Sequence, residues 1–147
     1  MPPLLVNGVR KMIIVLRGRR IAKGKQEGEA LVSTEAISFL AGVDPDNGVI
    51  IDRNHELKGK SIAGKVLVFP GGKGSTGGSW VIMRLADNKT APLAMINIET
   101  EPIVATGCIL AGIPLVDKLD KDPTHIINSG DLVKVDADDG IVTVVKK

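Results

Sequence analysis

Five glycines fall within the nine residues Gly71-Gly72-Lys73-Gly74-Ser75-Thr76-Gly77-Gly78-Ser79, one residue after the strand-like segment Lys65-Val66-Leu67-Val68-Phe69. Val81, Ile82, Leu85 and Ala86 then recur with helical spacing, so the segment joins a buried strand to a helix. Ala94–Ile98 reads as a second buried strand, Ile103–Ala111 as a second helix and Pro114-Leu115-Val116 as a third strand. A strand, helix, strand, helix, strand order requires a parallel sheet with right-handed crossovers. The chain must therefore contain a small α/β unit.

Strands are also expected at Met12–Leu16, Ala30–Ser33 and Val49–Asp52. Residues 37–45 read as an ordered loop, because Gly42 interrupts any helix. Leu132–Asp136 and Ile141–Val145 alternate around Asp138-Asp139-Gly140, the pattern of a β-hairpin. Residues 1–11 are expected to be a flexible leader, with a single domain over 12–147. The architecture predicted is a β-rich shell around a parallel βαβαβ unit.

Composition narrows the function. Two Phe, one Trp and no Tyr leave no stacking platform for single-stranded nucleic acid, and a net charge of +2 gives little attraction to a polyanion. Arg10, Lys11, Arg17, Arg19 and Arg20 cluster early, the pattern of a solvated strand edge. Cys108 alone makes neither a disulfide nor a metal site, and it reads as a buried filler; His55 reads as a surface residue. No apolar run approaches the roughly 20 residues that cross a bilayer, and the reading is cytoplasmic.

A glycine loop at a helix start turns backbone N–H groups inward and adds the positive end of the helix, which makes an anion cradle. Gly72-Lys73-Gly74-Ser75-Thr76-Gly77 satisfies G-x-G-x-x-G, and Glu99 falls where a ribose-binding acid would sit. A dinucleotide- or anion-binding module without catalysis is one reading. Too little α/β structure surrounds the loop for a full dehydrogenase. A Walker loop fails, since Gly74 follows Lys73 and Leu67 stands where glycine is needed. The stretch Ala111–Val116 with Gly130–Asp136 resembles the end of phosphohistidine carrier domains, but Glu99-Thr100-Glu101-Pro102 lacks the histidine.

Four motifs in order carry a more specific resemblance: Glu27–Ser33, Ile37–Pro45, Gly59–Lys65 and Gly72–Ser79. Together they resemble the small subunit of the aconitase X family, over about Arg17 to Asp117. The resemblance implies the swivelling β/β/α domain found at the C-terminus of aconitase. It also implies a hydro-lyase active only with a large subunit that carries a [4Fe-4S]-type cluster. The family's archaeal two-subunit members dehydrate (R)-5-phosphomevalonate to trans-anhydromevalonate 5-phosphate in the mevalonate route to isoprenoids; dehydration of cis-3-hydroxy-L-proline is the alternative.

Ser75 matches the family's serine base, which removes the proton from the carbon next to the carboxylate. Its alkoxide needs stabilisation, for which the resemblance and the loop chemistry offer N–H groups of Gly74, Thr76, Gly77 and Gly78, the helix start and the charge of Lys73. Lys73, Ser79 and main-chain N–H groups are the candidates for substrate phosphate, and Ser38 and Asp44 are candidates for the same cavity. Aconitase has an arginine where this chain has Gly77, so no guanidinium fork for a second carboxylate comes from this loop.

Overall fold

The computed structural model describes residues 3–147. Among them the elements run β1 (Pro3–Val6), β2 (Val9–Arg17), β3 (Arg19–Ala22), β4 (Lys25–Val32), α1 (Phe39–Gly42), β5 (Val66–Phe69), α2 (Gly78–Asp87), β6 (Ala94–Asn97), α3 (Pro102–Ala111), β7 (Leu115–Asp117), α4 (Pro123–Ile126), β8 (Leu132–Asp136) and β9 (Ile141–Val145). The strands are hydrogen-bonded in the order β1-β2-β9-β8-β4-β5-β6-β7-β3. Strands β4 to β7 are mutually parallel, and every other pairing is antiparallel. The parallel unit is thus one strand wider than the sequence suggests.

Strand β4 belongs to two sheets. Its first half, Lys25–Glu29, pairs with β8, and its second half, Ala30–Val32, pairs with β5. The sheet folds over at this strand, and two apolar clusters result. Leu31, Leu67, Phe69, Met95 and Leu115 face Ile82, Leu85, Val104 and Cys108 of the helices. Ala30, Val66, Val68, Ala94, Ile96 and Val116 face Leu16, Val133, Val135, Val142 and Val144 of the antiparallel strands. Strands covered on both sides must be apolar throughout, which is why β5 shows no alternation. The result is a three-layer β/β/α stack.

Four expectations need correction. Residues 3–11 are not an unstructured leader: β1 and the start of β2 pair as a hairpin, and residues 1 and 2 lie outside the described region. Its turn is Asn7-Gly8, with φ of 51° and 77°, the two-residue turn that matches strand twist. Val49–Asp52 is no strand, because only isolated bridges join Val43 to Ile50 and Val49 to Ser61; Ile50 is apolar because it enters the helix-side core. Residues 39–42 make one helical turn, closed by Gly42 N–H on Ser38 C=O at 2.8 Å, so glycine ends the helix rather than preventing it. His55 is buried, with Nδ1 accepting from Leu57 N–H at 3.0 Å. Strand β3 and helix α4 are additions. Of the early basic residues, Arg10, Arg17, Arg19 and Arg20 are exposed on β2 and β3, as a solvated edge requires.

One buried carboxylate fastens the C-terminal strands. Asp131, 1% exposed, accepts from Asn128 N–H and Lys147 N–H at 2.9 Å each and from the Lys146 ammonium at 2.6 Å. Burial alone would push its carboxyl up, but Lys146 and the two N–H groups outweigh it and hold the group below the usual carboxylate range. The unfolded chain therefore binds this proton more readily than the folded one. The stabilisation is complete above the unfolded value of about 4 and is lost as pH falls through the lower folded value. Asp131→Asn is expected to flatten the acid limb of stability against pH, read by urea unfolding between pH 7 and pH 3, and to lower stability at neutral pH.

Candidate functional site

The connections after β4, β5, β6 and β7 leave from one edge of the parallel sheet, where ligands of α/β folds bind. The glycine loop is the connection after β5. It is templated by the segment after β4: Ile37 N–H donates to Gly71 C=O and Lys73 N–H to Ile37 C=O, both at 3.1 Å. On its other side stands α3, capped by Glu101, whose carboxylate accepts from Ile103 N–H at 2.8 Å and Val104 N–H at 2.9 Å. A Cβ on Gly72 would lie 2.5 Å from Glu101 Oε1, so only glycine lets the loop pass. Gly74 has φ of 90°, and a Cβ there would lie 2.9 Å from Ser38 Oγ. The chain is pressed into this turn from both sides.

Residues 73–76 are all exposed, and the hydroxyl of Ser75 sits just before α2. Gly77 N–H donates to Ser75 Oγ at 3.3 Å. The ten-residue α2 begins three residues on, so its positive end adds to the potential at this oxygen. The expected convergence of four N–H groups needs correction. Gly78 N–H is engaged by the carbonyl of Ser75 at 3.0 Å, which closes the turn into the helix, and those of Gly74 and Thr76 make no bond to the hydroxyl among the described contacts.

The other candidates divide. Lys73 and Thr76 are exposed beside Ser75, and Ser38, whose side chain makes no capping bond, lies against Gly74. Ser79 does not face the loop's open side: its hydroxyl donates to Ile103 C=O at 2.6 Å and ties the first turns of α2 and α3 together. Asp44 is not brought to the site. It accepts from Asp46 N–H at 2.9 Å in a tight turn, and the adjoining Pro45 C=O accepts from Asn88 and Thr90 at the far end of α2. Ten helical residues, about 15 Å, separate that end from the loop. Glu99, the acid of the dinucleotide pattern, is an exposed partner of Lys118 at 3.6 Å.

Glu101 is the positioning residue that sequence reading passed over. Its signal was present: an acidic residue immediately before Pro102 marks an N-cap followed by proline at the first helical position.

The donor set does not fit a metal cluster. Among the described residues no three His, Cys, Asp or Glu side chains come together. Cys108 is buried, with its thiol on Met95 Sδ at 3.7 Å, and burial pushes its pKa far above the usual thiol range.

The model of the aconitase X swivel domain matches residues 15–144. This chain belongs to the aconitase X swivel-domain family. The family's crystallised Thermococcus kodakaraensis aconitase X, in its holo form, superposes with a TM-score of 0.86 at 50% identity, covering 90% of this chain and 99% of that one. A relative from Methanocella arvoryzae named phosphomevalonate dehydratase small subunit is 55% identical, over 86% of this chain and 96% of its own length. One of the same name from Methanosarcina acetivorans is 53% identical, over 90% and 92%. The β/β/α stack is accordingly the swivel fold that the motifs implied. No described helix of this aconitase X swivel domain is long and apolar enough to cross a membrane.

Proposed function

We propose that this chain is the small subunit of a phosphomevalonate dehydratase, in which Ser75 is the base. The observation that carries the reading is similarity, at more than half identity, to small subunits of that name over 86–90% of this chain and more than nine-tenths of theirs, with the swivel fold shared over 90% of this chain. The loop geometry supports the role of Ser75.

Dehydration breaks a C–H bond next to the carboxylate and a C–O bond on the neighbouring carbon, forms a C=C bond and releases water. Ser75 Oγ, as alkoxide, takes the proton. A free serine hydroxyl is far too weakly acidic to ionise at neutral pH, so the site must favour the anion. Gly77 N–H at 3.3 Å and the start of α2 supply that stabilisation, and the hydrogen bond tightens as charge develops on the oxygen. Lys73, exposed two residues before Ser75, offers a cation to the substrate's phosphate or carboxylate. The resemblance puts an iron–sulfur cluster in the large subunit, where it would supply Lewis-acid assistance to the departing hydroxyl; the cysteine of this chain is too buried to ligate it.

Co-expression with the large subunit under anaerobic conditions tests the reading. The purified complex is expected to convert (R)-5-phosphomevalonate and not cis-3-hydroxy-L-proline, and the isolated small subunit is expected to convert neither. Preferential turnover of hydroxyproline would replace the substrate; turnover by the isolated chain would refute the division of labour.

A further inference from the structure

The catalytic hydroxyl lies on an open surface, and the apolar residues around it are exposed as well. Trp80 is 58% exposed and Leu40 is 46% exposed. They form one patch. Gly77, Trp80 and Arg84 share a face of α2 by their spacing of three and four residues, and Leu40 Cδ1 lies 3.1 Å from where a Cβ on Gly77 would sit. The Arg84 guanidinium stacks on the Trp80 ring at 5.0 Å from its centroid. The ion pairs among the described residues include neither Arg84 nor Lys73, so this side presents two uncompensated cations.

We infer that Leu40, Trp80 and Arg84 form the anchor on which the large subunit closes over Ser75, through an apolar socket edged by a carboxylate. The inference rests on the proposed function, because a base exposed on one subunit can act only if the other subunit covers it. A face continuous with the base is the face that must be covered. Tryptophan and arginine dominate binding energy when a partner desolvates them, and the unpaired guanidinium supplies the charge complementarity. Ile109 and Leu110 are also exposed, at 57% and 63%, but they sit on the last turn of α3, at the opposite end from the loop.

Trp80→Ala and Arg84→Glu tested in the two-subunit complex decide the matter. Each is expected to weaken association with the large subunit by about 30-fold or more in a surface-binding measurement. The thermal midpoint of the isolated small subunit should change little, since Trp80 is exposed and the half-buried Arg84 makes no ion pair among the described residues. Ile109→Ser should leave association intact. Undiminished association of Trp80→Ala, or a loss confined to Ile109→Ser, would overturn the anchor. So would self-association of the free chain that Trp80→Ala abolishes, because the patch would then serve a second copy. Failure of the proposed function is separately visible: the wild-type complex would assemble and still leave phosphomevalonate unconverted.

Discussion

Ser75→Ala in the assembled complex is expected to lower kcat for dehydration by about 10²–10⁴-fold, the usual contribution of a positioned general base. KM should change little. The hydroxyl is exposed and its single bond in the free subunit is a 3.3 Å acceptance from Gly77 N–H, so its removal disturbs neither the fold nor the loop. Two measurements separate loss of the base from loss of the site. Association with the large subunit should match wild type, and exchange of the substrate's C–H proton with solvent, which needs the base but not departure of the hydroxyl, should disappear with turnover. A variant that keeps kcat within a few-fold of wild type would remove Ser75 from the mechanism.

The parallel unit was legible because its strands are covered on both faces. Val66–Phe69 and Ala94–Asn97 are fully buried, and that double burial writes itself into sequence as the apolar runs Val66–Phe69 and Ala94–Ile96. The same signal misled at Val49–Asp52. There Ile50 is buried by a loop packed on the core, and burial without a ladder looks locally like a strand. The Asn7-Gly8 turn was readable, but its flanks are largely exposed and carry no burial pattern to attract notice.

Within the site, the distinction is between backbone and side chain. The glycines declared a tight turn against other structure, and Gly72 and Gly74 meet Glu101 and Ser38 there. The destination of a short polar side chain is a tertiary fact. Ser79 is as hydroxylic as Ser75, yet helical spacing turns it toward α3 and Ile103 C=O. Asp44 follows Ser38 by six residues, and those six residues carry it along α2 and away from the loop. His55, between Asn54 and Glu56, has the neighbours of a surface residue while its ring fills space beneath Glu35 C=O.

Phe39→Ala should be the most damaging substitution at a position that touches no substrate. Phe39 is 1% exposed and meets Phe69 edge to face, with ring centroids 5.9 Å apart. Truncating a buried phenylalanine to alanine costs about 3–5 kcal/mol, from lost transfer energy and the cavity left behind, and urea unfolding of the isolated subunit should show a loss of that size. The consequence for catalysis follows from what Phe39 holds. Ile37 N–H and C=O bind Gly71 and Lys73, Ser38 lies against Gly74 and Leu40 against Gly77, so residues 37–40 back the loop along its length, and Phe39 is their anchor in the core. With that anchor cut, Gly77 N–H loses its fixed relation to Ser75 Oγ. The fraction that stays folded and assembled should then show a lower kcat with a weakened response to Ser75→Ala, because a base already displaced has less to lose. Phe39→Leu, which refills most of the cavity, should restore both stability and turnover. Full activity in Phe39→Ala despite the stability loss would mean that the glycine loop holds its geometry unaided, and that segment 37–40 serves only the core.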